Sequence, residues 1–267
     1  MVTVLRKDFM KCGPLFAMPP ALVYAAASSD SLSSQPRIVM PQPDLVIFDC
    51  DGVLVDSEII AARVEAELIT AAGYEISAEE IAQTYAGLTF KDILMSIEER
   101  SGVAFQIALI DRAETLVGQR LKRDVRAIEG VHEAVASIIA PRCICSNSRS
   151  ERIEFMLERT RLLPLFSGRI FSAEETPTGK TKPAPDVFLH AAETLGADPA
   201  KTFVIEDSVH GVTGARRAGM RVIGFTGGAH SYPGHADALT EAGTETVIRR
   251  WAELKSVVAA LSEWADE

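Results

Sequence analysis

The stretch FDCDGVLVD, residues 48–56, places three aspartates close together directly after an apolar run. Carboxylates at this spacing repel one another, which costs stability unless a cation or a reaction uses them. Asp49, Asp51 and Asp56 are therefore the first candidates for chemistry. Hard carboxylate oxygens are also the ligands that Mg²⁺ prefers in proteins.

Short apolar runs recur along the chain and predict strands that are buried on both faces. They lie at residues 45–48, 143–145, 169–171, 203–205, 221–225 and 246–248. Helical patterns separate them at residues 131–140, 150–161, 186–195, 212–218 and 251–264. Strands that alternate with helices predict an α/β fold with a doubly wound parallel sheet.

The long segment between the first and second strands has only helical character. Its patterns predict helices at residues 59–72, 77–85, 91–100 and 107–123. A single crossover helix needs far fewer residues. We therefore predict an all-helical cap domain at residues 58–129, inserted into a catalytic core domain of residues 44–57 plus 130–267.

The first 43 residues are predicted to be a disordered N-terminal extension. Basic residues before an apolar segment loosely imitate a signal peptide. However, Pro19 and Pro20 interrupt the apolar segment, and Asp8 lies within the basic region. We expect an extension rather than export, with Met40 as an alternative start.

The composition narrows the choice of partners and compartment. The formal net charge of −10 gives no electrostatic footprint for a nucleic acid. Since no apolar run reaches the ~20 residues of a membrane span, no membrane partner is expected. Cys50, Cys143 and Cys145 lie in apolar strand-like runs and are expected to be buried free thiols, which favours a reducing, cytoplasmic location. We expect a monomer or a weak homodimer.

Ligands of open α/β sheets bind at the carboxyl ends of the strands, where the strand order reverses. Polar residues follow the predicted strands or precede the predicted helix at residue 186. They are Asp49, Asp51, Ser146, Asn147, Lys182, Glu206, Asp207 and Ser208. Four separate segments thus bring carboxylates, hydroxyl groups and an amine to one edge, a set that suits Mg²⁺ and phosphate.

The four segments DCDGVLVDSE, CSN, KPAPD and IEDSVHGVTGARRAGM occur in this order. The chain thereby resembles the haloacid dehalogenase superfamily, in the subgroup with a helical cap after the first strand. The resemblance covers residues 44–250, both core and cap. It implies a phosphoryl-transfer enzyme that uses Mg²⁺ and an aspartyl-phosphate intermediate.

The resemblance also implies roles for individual residues. Asp49 is the nucleophile that attacks phosphorus. Asp51 is the general acid that protonates the leaving oxygen, and then the general base that activates water. Mg²⁺ is bound by Asp49, Asp207 and the backbone carbonyl of Asp51, with Glu206 supporting the metal directly or through water.

The same resemblance assigns the groups that hold phosphate. Lys182 offsets the repulsion between nucleophile and phosphate, and Ser146 and the N–H of Asn147 bind phosphate oxygens. Lys180 competes with Lys182 for this role, but the KPAPD motif begins at Lys182.

Other polar residues near these motifs are given structural roles. Asp56 is expected to cap the helix after Ser57 or to bond within its loop. His210 is expected to be a hydrogen-bonded loop histidine. His230 and His235 lie in a glycine-rich loop and are expected to be solvated.

The expected activity is hydrolysis of a small phosphorylated metabolite, a sugar phosphate or a molecule like 6-phosphogluconate. The alternatives within the phosphatases are pyridoxine 5'-phosphate and phosphoglycolate. Because the dehalogenases of this group lack the second aspartate, the presence of Asp51 favours phosphoryl chemistry. Phe90 and Lys91 of the cap are expected near the organic part of the substrate, unless Phe90 belongs to the cap core.

Two further alternatives stay open. A mutase of the β-phosphoglucomutase type uses a cap-linker histidine and a cap arginine, whose positions here are Ala61 and Phe90. A non-catalytic phosphometabolite-binding protein would usually have lost Asp49 or Asp51.

Overall fold

Six strands form one parallel sheet in the computed structural model, which describes residues 42–85, 88–166 and 168–263. Most of the predicted N-terminal extension, residues 1–41, lies outside the described residues. The strands are β1 (Leu45–Phe48), β2 (Arg142–Ser146), β3 (Ile170–Ser172), β4 (Thr202–Glu206), β5 (Arg221–Phe225) and β6 (Thr246–Ile248). All six coincide with the predicted strands to within one residue at either end.

The strand order is β3-β2-β1-β4-β5-β6, and every neighbouring pair is parallel. Ile47 of β1 is in register with Cys143 of β2 on one side and with Val204 of β4 on the other. The chain builds the sheet outward from β1 in one direction, and then crosses over to build it in the other. The switch point therefore lies at the carboxyl ends of β1 and β4, and the predicted fold class is confirmed.

Ten α-helices accompany the described strands. They are α1 (Glu58–Ala71), α2 (Ala78–Thr84), α3 (Phe90–Ser101), α4 (Ala108–Asp124), α5 (Val131–Ser137), α6 (Ser150–Arg159), α7 (Asp186–Leu195), α8 (Val209–Arg217), α9 (His235–Ala242) and α10 (Leu254–Glu263). Helices α1 to α4 lie in the segment assigned to the cap. The exact boundary between cap and core stays a prediction.

Four helices differ from the sequence prediction by three residues or more. Helix α5 ends at Ser137 and not at residue 140, and α10 begins at Leu254 and not at residue 251, because residues 251–253 form a separate 3₁₀ turn. Helix α8 begins before the predicted Val212, because the hydroxyl of Ser208 accepts a hydrogen bond from the N–H of Gly211 and caps the helix earlier. Helix α9 was not predicted at all, since its first residues belong to a glycine-rich stretch.

Large aromatic side chains fill the space under one face of the sheet. The Trp251 ring lies 5.9 Å from that of Phe48 and 4.6 Å from that of Phe225, between centroids. Both strand residues are fully buried, which fixes the ends of β1 and β5 against the C-terminal segment. Strands that are held this firmly can present the residues after them with little freedom.

The three described cysteines are buried free thiols, as predicted. Within the described part of the chain, none of the helices combines the length and the apolar character needed to cross a membrane.

Candidate active site

Asp49 lies directly beyond β1, where its backbone N–H donates to the carbonyl of Ile205 in β4 (3.0 Å). Its side chain accepts a hydrogen bond on Oδ1 from Nζ of Lys182 at 2.6 Å. The same ammonium donates to Oε1 of Glu206 (2.6 Å) and to the carbonyl of Cys145 (2.8 Å). Residues from four segments thus meet at one buried cation, as the strand-end argument predicted.

Burial and neighbouring charges together set the pKa values of Lys182 and Asp49. Burial alone would lower the pKa of Lys182, but Asp49 and Glu206 raise it above its ordinary value. Burial raises the pKa of Asp49, Lys182 opposes the shift, and the charges of Glu206, Asp207 and Asp51 add to it. One ammonium is therefore shared among several carboxylates, and the site retains an excess of negative charge.

Glu206 is completely buried and has a donor on each oxygen. Besides Lys182 on Oε1, its Oε2 accepts from the N–H groups of Asp207 and Ser208 (both 3.2 Å) and from the Ser208 hydroxyl (3.0 Å). Gly211 leaves room for the Glu206 carboxylate, because a Cβ at residue 211 would collide with it. Glu206 therefore contacts Lys182 directly, and its support of the metal stays a prediction.

Three hydroxyl groups hold the carboxylate of Asp51. Ser57 donates to Oδ1 at 2.6 Å, while Ser148 and Ser146 donate to Oδ2 at 2.8 and 3.4 Å. Nη2 of Arg152 lies 3.8 Å from Oδ1. Because a hydroxyl can donate or accept, the serine contacts can serve both the ionised and the protonated carboxyl.

Three partners of Asp51 were not predicted from the sequence: Ser57, Ser148 and Arg152. Ser57 was read only as the start of the cap helix, and its side chain makes no capping bond there. Ser148 and Arg152 follow β2, close to the predicted phosphate-binding residues. Their position just after Ser146 and Asn147 is the one sequence feature from which a contact with the site could have been predicted.

Ser146 and Asn147 lie at the predicted edge, and their side chains contact other parts of the site. Ser146 accepts from the N–H of Ser148 (3.0 Å), and Oδ1 of Asn147 accepts from the N–H of Lys182 (2.8 Å). The Asn147 side chain therefore fixes the loop that carries Lys182. Their binding of phosphate stays a prediction.

The prediction that His230 and His235 are solvated is wrong, because the segment after β5 folds back over Asp207. The His230 side chain is 11% exposed, and His235 is buried. Nε2 of His230 donates to Oδ2 of Asp207 at 2.8 Å. Nε2 of His235 donates to the backbone carbonyl of Asp207 at 2.6 Å. The hydrogen bond and charge of Asp207 raise the pKa of His230 against the opposing effect of burial, whereas burial lowers the pKa of His235.

His210 lies in the first turn of α8 and not in a loop as predicted. It lines the cavity described below, and its buried Nδ1 has no hydrogen-bond partner among the described residues. The hydrogen bond that was expected for His210 is therefore not found at Nδ1.

Asp56 takes neither of its two predicted roles: its Oδ1 accepts from the N–H of Ala229 at 2.8 Å, in the segment after β5 and not in its own loop, and no side chain caps α1. Lys180 is exposed, and its Nζ lies 4.0 Å from Oδ1 of Asp186. The choice of Lys182 over Lys180 agrees with this geometry.

A cavity of about 330 Å³ opens between these residues and the helices of the predicted cap. Its core side includes Asp49, Asp51, Lys182 and Asp207. Its helical side is formed by Glu58, Ala61, Ala62, Glu65, Ile81, Ala82, Tyr85, Leu88, Thr89 and Ile93. Among the described residues, neither Phe90 nor Lys91 lines it, and Phe90 packs instead against the hydrophobic clusters, as the alternative reading had it.

Two acidic residues of α1 face this cavity. Glu58 is partly exposed to solvent, but the protein atoms around its carboxyl group displace water and raise its pKa to about 7, with Asp51 and Asp207 adding to the shift. Enclosure also raises the pKa of Glu65 to about 7, while Arg152 opposes the shift. Both residues line the part of the cavity that faces the predicted cap, where the organic part of a ligand would lie.

The oxygen donors of the site fit Mg²⁺. Asp49 of the first motif and Asp207 of the fourth provide carboxylates, and the first motif adds the backbone carbonyl of Asp51. Gly52 leaves room for Asp207, because a Cβ at residue 52 would collide with its Oδ2. Among the described residues no three acidic, histidine or cysteine side chains form a preorganised metal cluster, but the predicted set uses only two side chains.

The chain belongs to the haloacid dehalogenase-like hydrolase family, which it matches over residues 46–225. The predicted family and the prediction of a hydrolase are thereby confirmed. The curated relatives include 6-phosphogluconate phosphatase of Escherichia coli, 28% identical over 73% of this chain and 87% of that protein. Hexitol phosphatase B of the same organism is 29% identical over 71% of this chain and 85% of its own length.

Solved structures give the same family. A conserved haloacid dehalogenase-like protein of unknown function from Agrobacterium tumefaciens is 53% identical, with a TM-score of 0.80, covering 82% of this chain and 99% of the other. A family hydrolase from Deinococcus radiodurans, with bound phosphate and sodium, is 32% identical, with a TM-score of 0.72, covering 83% and 96%.

Proposed function

We propose that this protein is a Mg²⁺-dependent phosphatase that hydrolyses a small phosphorylated sugar or polyol through an aspartyl-phosphate on Asp49. The observation that carries the proposal is the buried pairing of Asp49 with Lys182 at the floor of the cavity. The named phosphatases among the relatives support the class of reaction. The phosphate in the Deinococcus structure supports an anion site in this fold.

In the first half of the reaction Asp49 attacks phosphorus, so that a bond forms between its carboxylate oxygen and phosphorus while the ester P–O bond breaks. Lys182 already contacts Oδ1 of Asp49 and places positive charge beside the incoming phosphate. The bond electrons leave with the alcohol oxygen, which receives a proton from Asp51.

In the second half Asp51 takes a proton from water, whose oxygen attacks phosphorus. The bond between phosphorus and the Asp49 oxygen breaks, which releases phosphate and restores the Asp49 carboxylate. The hydroxyls of Ser57 and Ser148 hold Asp51 through both steps. When bound, Mg²⁺ supplies positive charge that offsets the charge of the carboxylates and the phosphate.

The charge of the cavity favours an uncharged organic group. Glu58 and Glu65 face this region, and among the described residues no lysine or arginine of the cap lines it. Arg152 of α6 lies near Asp51 but does not line the cavity. A carboxylate on the organic part, as in 6-phosphogluconate or phosphoglycolate, would meet like charge there once Glu58 and Glu65 ionise, above their raised pKa of about 7. We therefore place a neutral sugar or polyol phosphate ahead of the 6-phosphogluconate-like substrate, with a neutral ring such as pyridoxine as the next choice.

The remaining alternatives have less support. Ala61 lines the cavity at the place where the mutase has its histidine. Because alanine has no ionisable group, this protein lacks a residue that the phosphomutase reaction uses. A non-catalytic binding protein would not need the ordered contacts of Asp51. A cytoplasmic monomer or weak homodimer stays part of the proposal.

Hydrolysis of p-nitrophenyl phosphate tests the proposal. We expect release of p-nitrophenolate that requires Mg²⁺, stops with EDTA and is lost in Asp49→Asn. Hydrolysis that persists in EDTA would contradict the metal requirement, and hydrolysis by the Asp49→Asn protein would contradict the covalent mechanism. A panel of neutral and acidic sugar phosphates, compared by kcat/KM, then tests the substrate class.

A further inference from the structure

The segment after β5, residues 226–235, encloses Asp207 from outside the four family motifs. Two of its histidines contact Asp207 at different atoms: His230 at the carboxylate (2.8 Å) and His235 at the backbone carbonyl (2.6 Å). The mechanism proposed above uses neither histidine. This segment therefore needs an explanation of its own.

The position of the segment is fixed at several points. The N–H of Ala229 donates to Asp56 (2.8 Å), which ties the segment to the loop after β1. The ring of Tyr232 stacks on His235 with 4.7 Å between centroids and an interplanar angle of 14°. His235 in turn lies edge-on to His230, 5.7 Å away. The position of the His230 ring is therefore fixed by these contacts as well as by its hydrogen bond to Asp207.

Two glycines leave the space that the His230 ring occupies. A Cβ at Gly228 would lie 2.7 Å from both Cε1 and Nδ1 of the ring. A Cβ at Gly52, in the first motif, would lie 2.7 Å from Cε1. Both distances are too short for real atoms, so the ring fits only because both residues lack a side chain.

The hydrogen bond of His230 leaves one oxygen of Asp207 for another partner. His230 occupies Oδ2, and none of the described residues donates a hydrogen bond to Oδ1. Nε2–H donates in the neutral tautomer and in the protonated ring alike, so this contact does not depend on the charge of the histidine. A carboxylate held by one oxygen keeps the other in a fixed direction.

We propose that His230 is a positioning residue that orients the Asp207 carboxylate for Mg²⁺. The inference rests on the metal site of the proposed function. Residues that hydrogen-bond a metal ligand from behind typically change metal affinity by about 10- to 100-fold when they are replaced. His230 does not touch the reacting phosphate in this account, and acts only through Asp207.

Isothermal titration of the metal-free protein with MgCl₂, without substrate, tests the inference. In His230→Gln the side-chain amide nitrogen can reach the place of Nε2, whereas in His230→Asn it ends near the place of Nδ1. We expect affinity close to wild type for His230→Gln, and affinity about 10- to 100-fold weaker for His230→Asn and His230→Ala. His210→Gln is the matched control, a histidine of the same cavity that makes no described contact with Asp207, and should bind Mg²⁺ like wild type.

The outcomes separate the inference from the proposed function. Wild-type affinity in His230→Asn and His230→Ala overturns the inference, as does a loss in His230→Gln as large as in His230→Ala. Should His230→Ala fail to fold, the Gln and Asn pair decides alone. Absence of Mg²⁺ binding by the wild-type protein would overturn the metal site itself.

A kinetic readout gives independent support. With p-nitrophenyl phosphate, His230→Asn should need more Mg²⁺ for half-maximal rate and recover most of its kcat at saturating Mg²⁺. A kcat that stays low at every Mg²⁺ concentration would contradict a role limited to metal positioning.

Discussion

Nζ of Lys182 lies 2.6 Å from Oδ1 of Asp49, although the two residues are 133 positions apart in the chain. The same nitrogen lies 2.6 Å from Oε1 of Glu206. All three side chains are buried. This cluster joins β1, β4 and the loop before α7 into one charged unit, and its removal should affect both stability and activity.

Replacing Lys182 with methionine should abolish phosphatase activity and destabilise the fold. The change leaves two buried carboxylates without their cation, which typically costs about 3–5 kcal/mol. Urea unfolding in the absence of Mg²⁺ measures the loss. Lys180→Met, at the exposed neighbouring lysine, should change the free energy of unfolding by less than about 0.5 kcal/mol. Equal effects of the two substitutions would contradict the assignment of Lys182.

Gly52→Ala should weaken Mg²⁺ binding in addition to the stability that it loses through backbone strain. Gly52 has a φ of +75°, and a Cβ there collides with Asp207 and His230. Gly102 has a φ of +73° with open space around it, so Gly102→Ala carries the same strain alone. We expect Gly102→Ala to lose about 1–2 kcal/mol of stability and keep its activity. Gly52→Ala should in addition lose Mg²⁺ affinity, and wild-type Mg²⁺ affinity in this variant would contradict the packing described.

Much of this arrangement follows from the sequence for a physical reason. Parallel strands end at one edge, so Asp49, Ser146 and Asp207 had to lie close together once the strands were recognised. The apolar runs marked those strands because the sheet is buried on both faces.

The contacts of His230 could not be predicted in this way. They depend on how an irregular segment folds back, and neither periodicity nor a motif reports that path. The early start of α8 was within reach, since Ser208 is a favourable capping residue. Ser57 was not assigned a contact, because its place before the first cap helix does not indicate that its hydroxyl donates to Asp51.

Replacing Glu65 with glutamine should relax the discrimination against acidic substrates. At about pH 8, above the raised pKa of Glu65, removing its charge from the cavity should raise kcat/KM for 6-phosphogluconate, relative to a neutral hexitol phosphate, by about tenfold. Glu67→Gln is the control on the same helix, because Glu67 is exposed and pairs with Arg120 outside the cavity. An unchanged ratio in Glu65→Gln would show that this carboxylate does not select the substrate.

The stability of the protein should fall as the pH rises through the weakly acidic range. The pKa of Glu65 is raised from 4.5 to about 7 on folding, so the folded chain keeps a proton that the unfolded chain releases. The free energy of unfolding therefore decreases between about pH 4.5 and pH 7, and levels off above. Urea titrations across this range should show a shallower decrease for Glu65→Gln. Identical pH dependence of the two proteins would contradict the shift.

The central claim, a phosphoryl group carried on Asp49, is tested most directly by mass spectrometry of the Asp51→Asn protein mixed with p-nitrophenyl phosphate and Mg²⁺ and quenched with acid. p-Nitrophenolate leaves without a proton, whereas hydrolysis of the intermediate needs the base, so the phosphorylated form should accumulate. The account predicts one added phosphoryl group on the peptide that contains Asp49, and none when Asp49 is also replaced by asparagine. Release of p-nitrophenolate with no phosphorylated peptide, or with the phosphoryl group on another residue, would contradict it.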